Sequence, residues 1–144
     1  MSLLIEGYAS LWGVEDLKGD VVAEGAFGES LRRTGADGVR MLHRHEPRSV
    51  IGLWDEVVED GRGLFVRGRI ISGSVEGRLA QGLARAGAMD GLSIGFRTAA
   101  ARREGRLRVL SRIDLREVSL VAFPALEEAR FRIVRAIAAG WSRS

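Results

Sequence analysis

Apolar and polar residues alternate with a period of two along much of this chain, the signature of half-buried β-strands. Residues 5–12 predict a first strand, followed by the polar turn Glu15-Asp16-Leu17-Lys18-Gly19-Asp20. Val21 and Val22 start a short second strand, and residues 39–43 a third. Residues 51–59 and 64–71 flank Glu59-Asp60-Gly61-Arg62-Gly63, which reads as a hairpin turn. Two later segments are extended as well: the stretch starting at Gly91 and the long run 107–121, with a turn over 101–106 between them.

Helical spacing replaces this alternation in three places. Residues 25–33 predict a short helix, with Phe27 and Leu31 four apart and Gly35 just beyond. Residues 74–87 give the clearest one: Ser74 can cap it, Glu76 sits in its first turn, and Val75, Leu79 and Leu83 recur every four residues as an expected core face. Residues 126–139, with Phe131, Val134 and Ile137, predict a last helix whose apolar stripe packs on the barrel or on a partner. Six or seven strands with two or three helices define an α+β protein, a mainly antiparallel sheet closed or nearly closed into a β-barrel. No repeat or composition shift divides it, so residues 1–144 are expected to form one domain.

Two strands carry unusual residues. In Gly91-Leu92-Ser93-Ile94-Gly95-Phe96 the bulky residues point one way, and the other face holds one hydroxyl between two glycines. Ser93 is thereby accessible to a peptide backbone, which a nucleophile needs. On the long run, Leu107, Val109, Ile113, Leu115 and Val121 are apolar while Arg106, Arg108, Arg112, Asp114 and Arg116 are charged. Glu117 falls in phase with the apolar set. A carboxylate buried there costs several kcal/mol unless a cation or donor meets it, and a histidine would serve. The bland alternative is a β-bulge that returns Glu117 to solvent. His45 lies where the third strand ends before Glu46-Pro47, a position from which a base can act. Serine, histidine and carboxylate together make an acyl-transfer site.

Composition excludes more than it selects. The chain of 144 residues lacks cysteine, so disulfides and thiolate chemistry are out. With no cysteine and no helical histidine pair, the neighbouring His43 and His45 give little support for zinc. No apolar run reaches the ~18 to 20 residues of a membrane span. The pI of 10.4 suggests nucleic acid, yet the net charge is only +3, and Lys18 is the sole lysine among 22 basic residues. Only 102–108 clusters basic residues, and that cluster reads as a solvated edge. Gly91 to Gly95 matches the G-x-S-x-G string, but no helix follows the serine and the order of candidate residues differs, which rules out an α/β-hydrolase elbow. Ser72, Ser74 and Ser119 are rival serines, explained more simply by turn, cap and strand roles.

Taken together, residues 5 to 125 resemble the prohead protease family of tailed bacteriophages. Gly7-Tyr8-Ala9-Ser10, Gly19-Asp20-Val21-Val22 and Gly25-Ala26-Phe27 resemble the family's opening. Met41-Leu42-His43-Arg44-His45-Glu46-Pro47 with Ile51-Gly52 resembles its histidine motif, Gly91 to Phe96 its nucleophile motif, and Leu115-Arg116-Glu117-Val118-Ser119-Leu120-Val121 with Pro124-Ala125 its third block. The resemblance implies Ser93, His45 and Glu117 as the catalytic set and gives His43 no role. It implies a barrel like that of the herpesvirus assembly protease. It also implies a serine endopeptidase that cleaves scaffold, or the scaffold-like N-terminal segment of the major capsid protein, inside an assembling prohead in the bacterial cytoplasm. A phage head or a domesticated phage-like particle, such as a gene transfer agent, would be the setting. No cofactor or metal is implied, and a homodimer is expected by analogy. The family commonly carries a long C-terminal tail, whereas this sequence stops at Ser144 soon after the expected last helix, which leaves tail-dependent packaging and self-cleavage open. The oxyanion donors are sought at the turn near Arg102-Arg103. Two other readings stay open: an inactive capsid-assembly scaffold of the same fold, and a basic nucleic-acid-binding barrel, for which aromatic residues are scarce.

Overall fold

The longest strand, β7 (Leu107–Val121), organises the computed structural model, which describes residues 1–134. Strand β6 (Gly91–Glu104) pairs antiparallel with β7 along nearly its whole length, joined by a turn at Gly105 and Arg106. On the opposite edge of β7 two short strands lie end to end and run parallel to it: β2 (Asp20–Val22) beside residues 108–110, and β3 (Arg40–His43) beside residues 117–120. From β3 the sheet continues antiparallel through β4 (Val50–Glu59), β5 (Gly63–Ile70), β1 (Leu3–Leu11) and β8 (Phe131–Ile133). Its far end returns to β6: Gly91 bridges Arg130, the Leu92 N–H donates to the Ala129 carbonyl, and the Phe131 N–H to that of Asp90. The sheet is therefore curled nearly to closure, as expected. It is mixed rather than purely antiparallel, because β2 and β3 reach β7 through connections long enough to reverse their direction.

The core fills the inside of this curl. Ile5, Phe27, Met41, Ile51, Leu64, Ile113 and Leu120 are fully buried, each such side chain contributing about 1.5 to 3 kcal/mol. The Trp54 indole N–H donates to the Val118 carbonyl from within it. Gly7 lets β8 dock, since a Cβ there would lie 2.0 Å from the Arg130 carbonyl oxygen.

Two α-helices among the described residues pack outside. Helix α1 (Gly28–Thr34) is shorter than the predicted 25–33 segment at its start and ends at Gly35. Helix α2 (Val75–Arg85) is capped by the Ser74 hydroxyl, which accepts the Gly77 N–H. Its orientation corrects part of the apolar stripe, of which Leu83 alone packs against the core. Gly77, Ala80, Gln81 and Ala84 are buried, whereas Val75 and Leu79 face solvent. Close approach decides this: a Cβ on Gly77 would sit 2.0 Å from the Ile71 carbonyl oxygen, and the Gln81 amide donates to the Ile70 and Met1 carbonyls. Small residues let the helix touch the sheet where larger ones could not.

The predicted helix over 126–139 is not formed in its described part. Residues 126–129 turn, and Phe131 enters β8 with its ring buried, because an open edge of β1 offers backbone pairing. Ile137 lies outside the described residues. The expected turn over 101–106 is likewise narrower, since β6 continues to Glu104. No helix among the described residues is long and apolar enough to cross a membrane.

Candidate active site

Register places two of the expected residues side by side. On adjacent strands Gly95 pairs with Glu117 and Ser93 with Ser119. Between Gly95 and Phe96 the register slips, leaving Arg116 as an extra residue on β7. This bulge reverses the alternation: Leu115 faces the core before it, Val118 and Leu120 after it. Glu117 is therefore not in phase with the buried side, as the alternation over 107–115 suggests. The bulge turns it to the outer face, where it joins Ser93.

His45 arrives from β3. Just past His43 the chain takes two left-handed steps, Arg44 at φ 57° and His45 at φ 62°. Neither residue is glycine, so each step costs roughly 1 to 2 kcal/mol. Hydrogen bonds hold the turn in place. The Arg44 N–H donates to the Leu120 carbonyl, the Glu46 N–H to that of His43, and the His45 N–H to the Ser119 hydroxyl. The parallel pairing of β3 with residues 117–120 thus sets the imidazole against β7.

The three expected residues converge. His45 Nε2 lies 3.0 Å from Ser93 Oγ, and Nδ1 lies 3.1 Å from both carboxylate oxygens of Glu117. A carboxylate offers only acceptors, so Nδ1 carries the proton and donates it. Nε2 is then the ring's acceptor and faces the serine O–H. The Glu117 side chain is only 13% exposed, whereas the His45 side chain is 42% exposed where it faces the cleft. The arrangement can draw a proton from Ser93 and stabilise the resulting imidazolium. His43 stands apart: burial first, and then the nearby Arg44 cation, pushes its imidazole below its ordinary value.

The glycines flanking Ser93 have a different use from the one their pattern suggests. A Cβ on Gly95 would lie 2.4 Å from Glu117 Cδ, and one on Gly91 2.7 Å from the Pro124 ring. Their missing side chains make room for protein atoms. What exposes Ser93 is an open cleft of about 440 Å³, walled by His45, Ile94, Phe96, Val14, Ala125 and Leu126. Beyond Leu92 the outer edge of β6 has no strand partner among the described residues.

Arg102 and Arg103 do not reach the site. They lie near the tip of the β6–β7 hairpin, paired with Val109 and Arg108. That is nine and ten residues along β6 from Ser93, about 30 Å of strand contour at ~3.3 Å per residue, and neither arginine walls the cleft. Among the described residues no group of three or more His, Asp or Glu could hold a metal. Sequence reasoning gave Ser119 only a strand role; the signal for more is a hydroxyl two residues from Glu117 and therefore on its face.

The curled sheet of this topology has the fold of the herpesvirus proteases, and the serine and imidazole lie in a cleft beside its open strand edge, with the carboxylate against the imidazole. Solved structures agree on the fold. Over 94% of this chain and 66% of the other, it superposes on KSHV protease in complex with a hexapeptide phosphonate inhibitor, with a TM-score of 0.63 at 15% identity. Over 82% of this chain and 80% of the other, it superposes on the bacteriophage T4 capsid assembly protease, with a TM-score of 0.67 at 16% identity. The model of the caudovirus prohead serine protease family matches residues 1–140, and the chain belongs to that family. It is 31% identical over 140 residues to the prohead protease of Enterobacteria phage HK97, covering 93% of this chain and 61% of that protein. The chain thus spans about three-fifths of the length of that curated relative.

Proposed function

We propose that the protein is a serine endopeptidase of head maturation, with Ser93 as nucleophile, His45 as general base and Glu117 as the carboxylate that orients the base. The observation that carries this reading is the unbroken relay from Glu117 through both ring nitrogens of His45 to Ser93 Oγ. His45 takes the hydroxyl proton as Ser93 attacks a scissile carbonyl, then returns it to the leaving amine. The acyl-enzyme so formed is released by water.

The substrate we infer is an extended segment of a capsid protein precursor or scaffold, met inside the assembling prohead. Support comes from the family and from the free edge of β6 beside Ser93, where a peptide can add as a further strand. A homodimer is part of this reading, with the exposed Val75 and Leu79 of α2 as apolar surface available to it; sedimentation of the purified chain tests that point.

The deciding experiment is Ser93→Ala, co-expressed with the capsid precursor. Cleavage and fluorophosphonate labelling should both vanish while the melting temperature holds. Undiminished processing by the variant would remove Ser93 from the mechanism. A wild-type chain that neither cleaves nor takes the label would favour the inactive scaffold.

A further inference from the structure

Ser119 occupies a position that the relay does not account for. It is fully buried, between Val118 and Leu120 of β7, yet its side chain is polar. Both sides of its hydroxyl are used. Oγ–H donates to Glu117 Oε1 at 2.5 Å, and Oγ accepts the His45 backbone N–H at 3.0 Å.

This geometry has three consequences. First, a serine hydroxyl has one proton and a free rotor. With the His45 N–H aimed at its oxygen, the rotor settles with its proton toward the carboxylate. Second, the Glu117 carboxylate is gripped from two directions, by Ser119 and by the imidazole, which fixes the plane it presents to Nδ1. Third, the N–H that Ser119 accepts belongs to a residue in a costly left-handed conformation. Without that bond the amide of His45 would lose its partner under the sheet edge, and the turn would have less to hold it.

We propose that Ser119 is a positioning residue for the relay: one buried hydroxyl ties the backbone of the base to the side chain of its orienting carboxylate. Fully buried, it is closed to substrate, and its hydroxyl bonds to Glu117 and His45. It acts by keeping His45 and Glu117 in mutual register, so its removal changes the rate of the chemical step rather than the affinity for substrate. This rests on the relay proposed above.

The test compares wild type, Ser119→Ala, Ser119→Thr and Ser93→Ala, using peptide cleavage and the rate of fluorophosphonate labelling, with melting temperature as the control for folding. Ser119→Ala should lower kcat and the labelling rate about ten- to hundredfold, the scale of a small misplacement of reacting groups. KM should stay within about twofold of wild type. Ser119→Thr, which keeps the hydroxyl on a residue suited to a strand, should recover most of the lost rate. If the alanine variant does not fold, Ser119→Cys, with its weaker donor, should label more slowly than wild type. The proposal is overturned if the folded alanine or cysteine variant labels at the wild-type rate, or if the whole loss appears in KM. It is also overturned if the threonine variant, folded, is as slow as alanine. Ser93→Ala separates the two ideas: labelling that survives in that variant sinks the relay itself, whereas a normal Ser119→Ala beside a dead Ser93→Ala sinks only the positioning role.

Discussion

Gly95 and Glu117 face one another across β6 and β7, and the carboxylate occupies the volume that a side chain on Gly95 would fill. The glycine is thus a spatial requirement of the carboxylate's placement. Gly95→Ala should displace Glu117 from His45 while leaving the backbone pairing intact. We expect kcat to fall by about a hundredfold, as for other small misplacements of reacting groups, with little change in melting temperature. An alanine variant of normal activity would show that Glu117 can orient the imidazole from elsewhere.

Glu117→Gln tests charge without changing bulk. The amide can turn either its oxygen or its NH2 toward Nδ1, so the correct ring tautomer is no longer enforced. In the relay, a neutral replacement at the third position costs on the order of 10⁴ in kcat. Peptide cleavage by the purified variant measures it, and a loss below about tenfold would demote Glu117 to a bystander.

Acid stability should depend on Glu6. Burial pulls its carboxyl upward, but hydrogen bonds from Arg67 and Arg132, with the charges of those two residues, hold it below its ordinary value of 4.5. A lowered folded value means stability that is fully present above pH 4.5 and is lost as pH falls through the lower folded value. Glu6→Gln should therefore be less stable than wild type near neutrality and show a flatter acid limb below pH 4.5. Urea unfolding across that range reads both effects, and parallel acid limbs would exclude Glu6 as a contributor.

Gly7→Ala should open the seam between β1 and β8. The new methyl meets backbone, the Arg130 carbonyl and Phe131 Cα, rather than a side chain that can swing aside. The expected cost is about 1 to 3 kcal/mol, as for other overpacked sites, measured by denaturant unfolding. A neutral substitution would mean that β8 can shift without penalty.

Much of this molecule was legible because local signals and tertiary demands coincide. The span of β7, the β4–β5 hairpin and the Ser74 cap follow from alternation, turn residues and a capping hydroxyl. Ser93, His45 and Glu117 were each nameable in advance, and the structure brings all three within hydrogen-bond reach. The failures come where a neighbour overrides the pattern. The phase of Glu117 is reversed by a bulge, which the alternation over 107–115 left only as the alternative to a buried carboxylate. The face of α2 is chosen by how closely Gly77 and Ala80 let it approach, against the spacing of Val75 and Leu79. Residues 131–133 become strand because β1 has an edge to fill. Ser119 read as an ordinary strand serine because one of its bonds reaches a chain segment 74 residues away.

That last distance has a bearing on when activity can begin. The His45–Ser93 and His45–Glu117 contacts span 48 and 72 residues, and the strand that seats the histidine pairs with β7, a segment made long after it. A nascent polypeptide emerging from the ribosome cannot assemble the relay until β7 has cleared the exit tunnel. Until that moment the growing chain carries the histidine without the carboxylate that it will face.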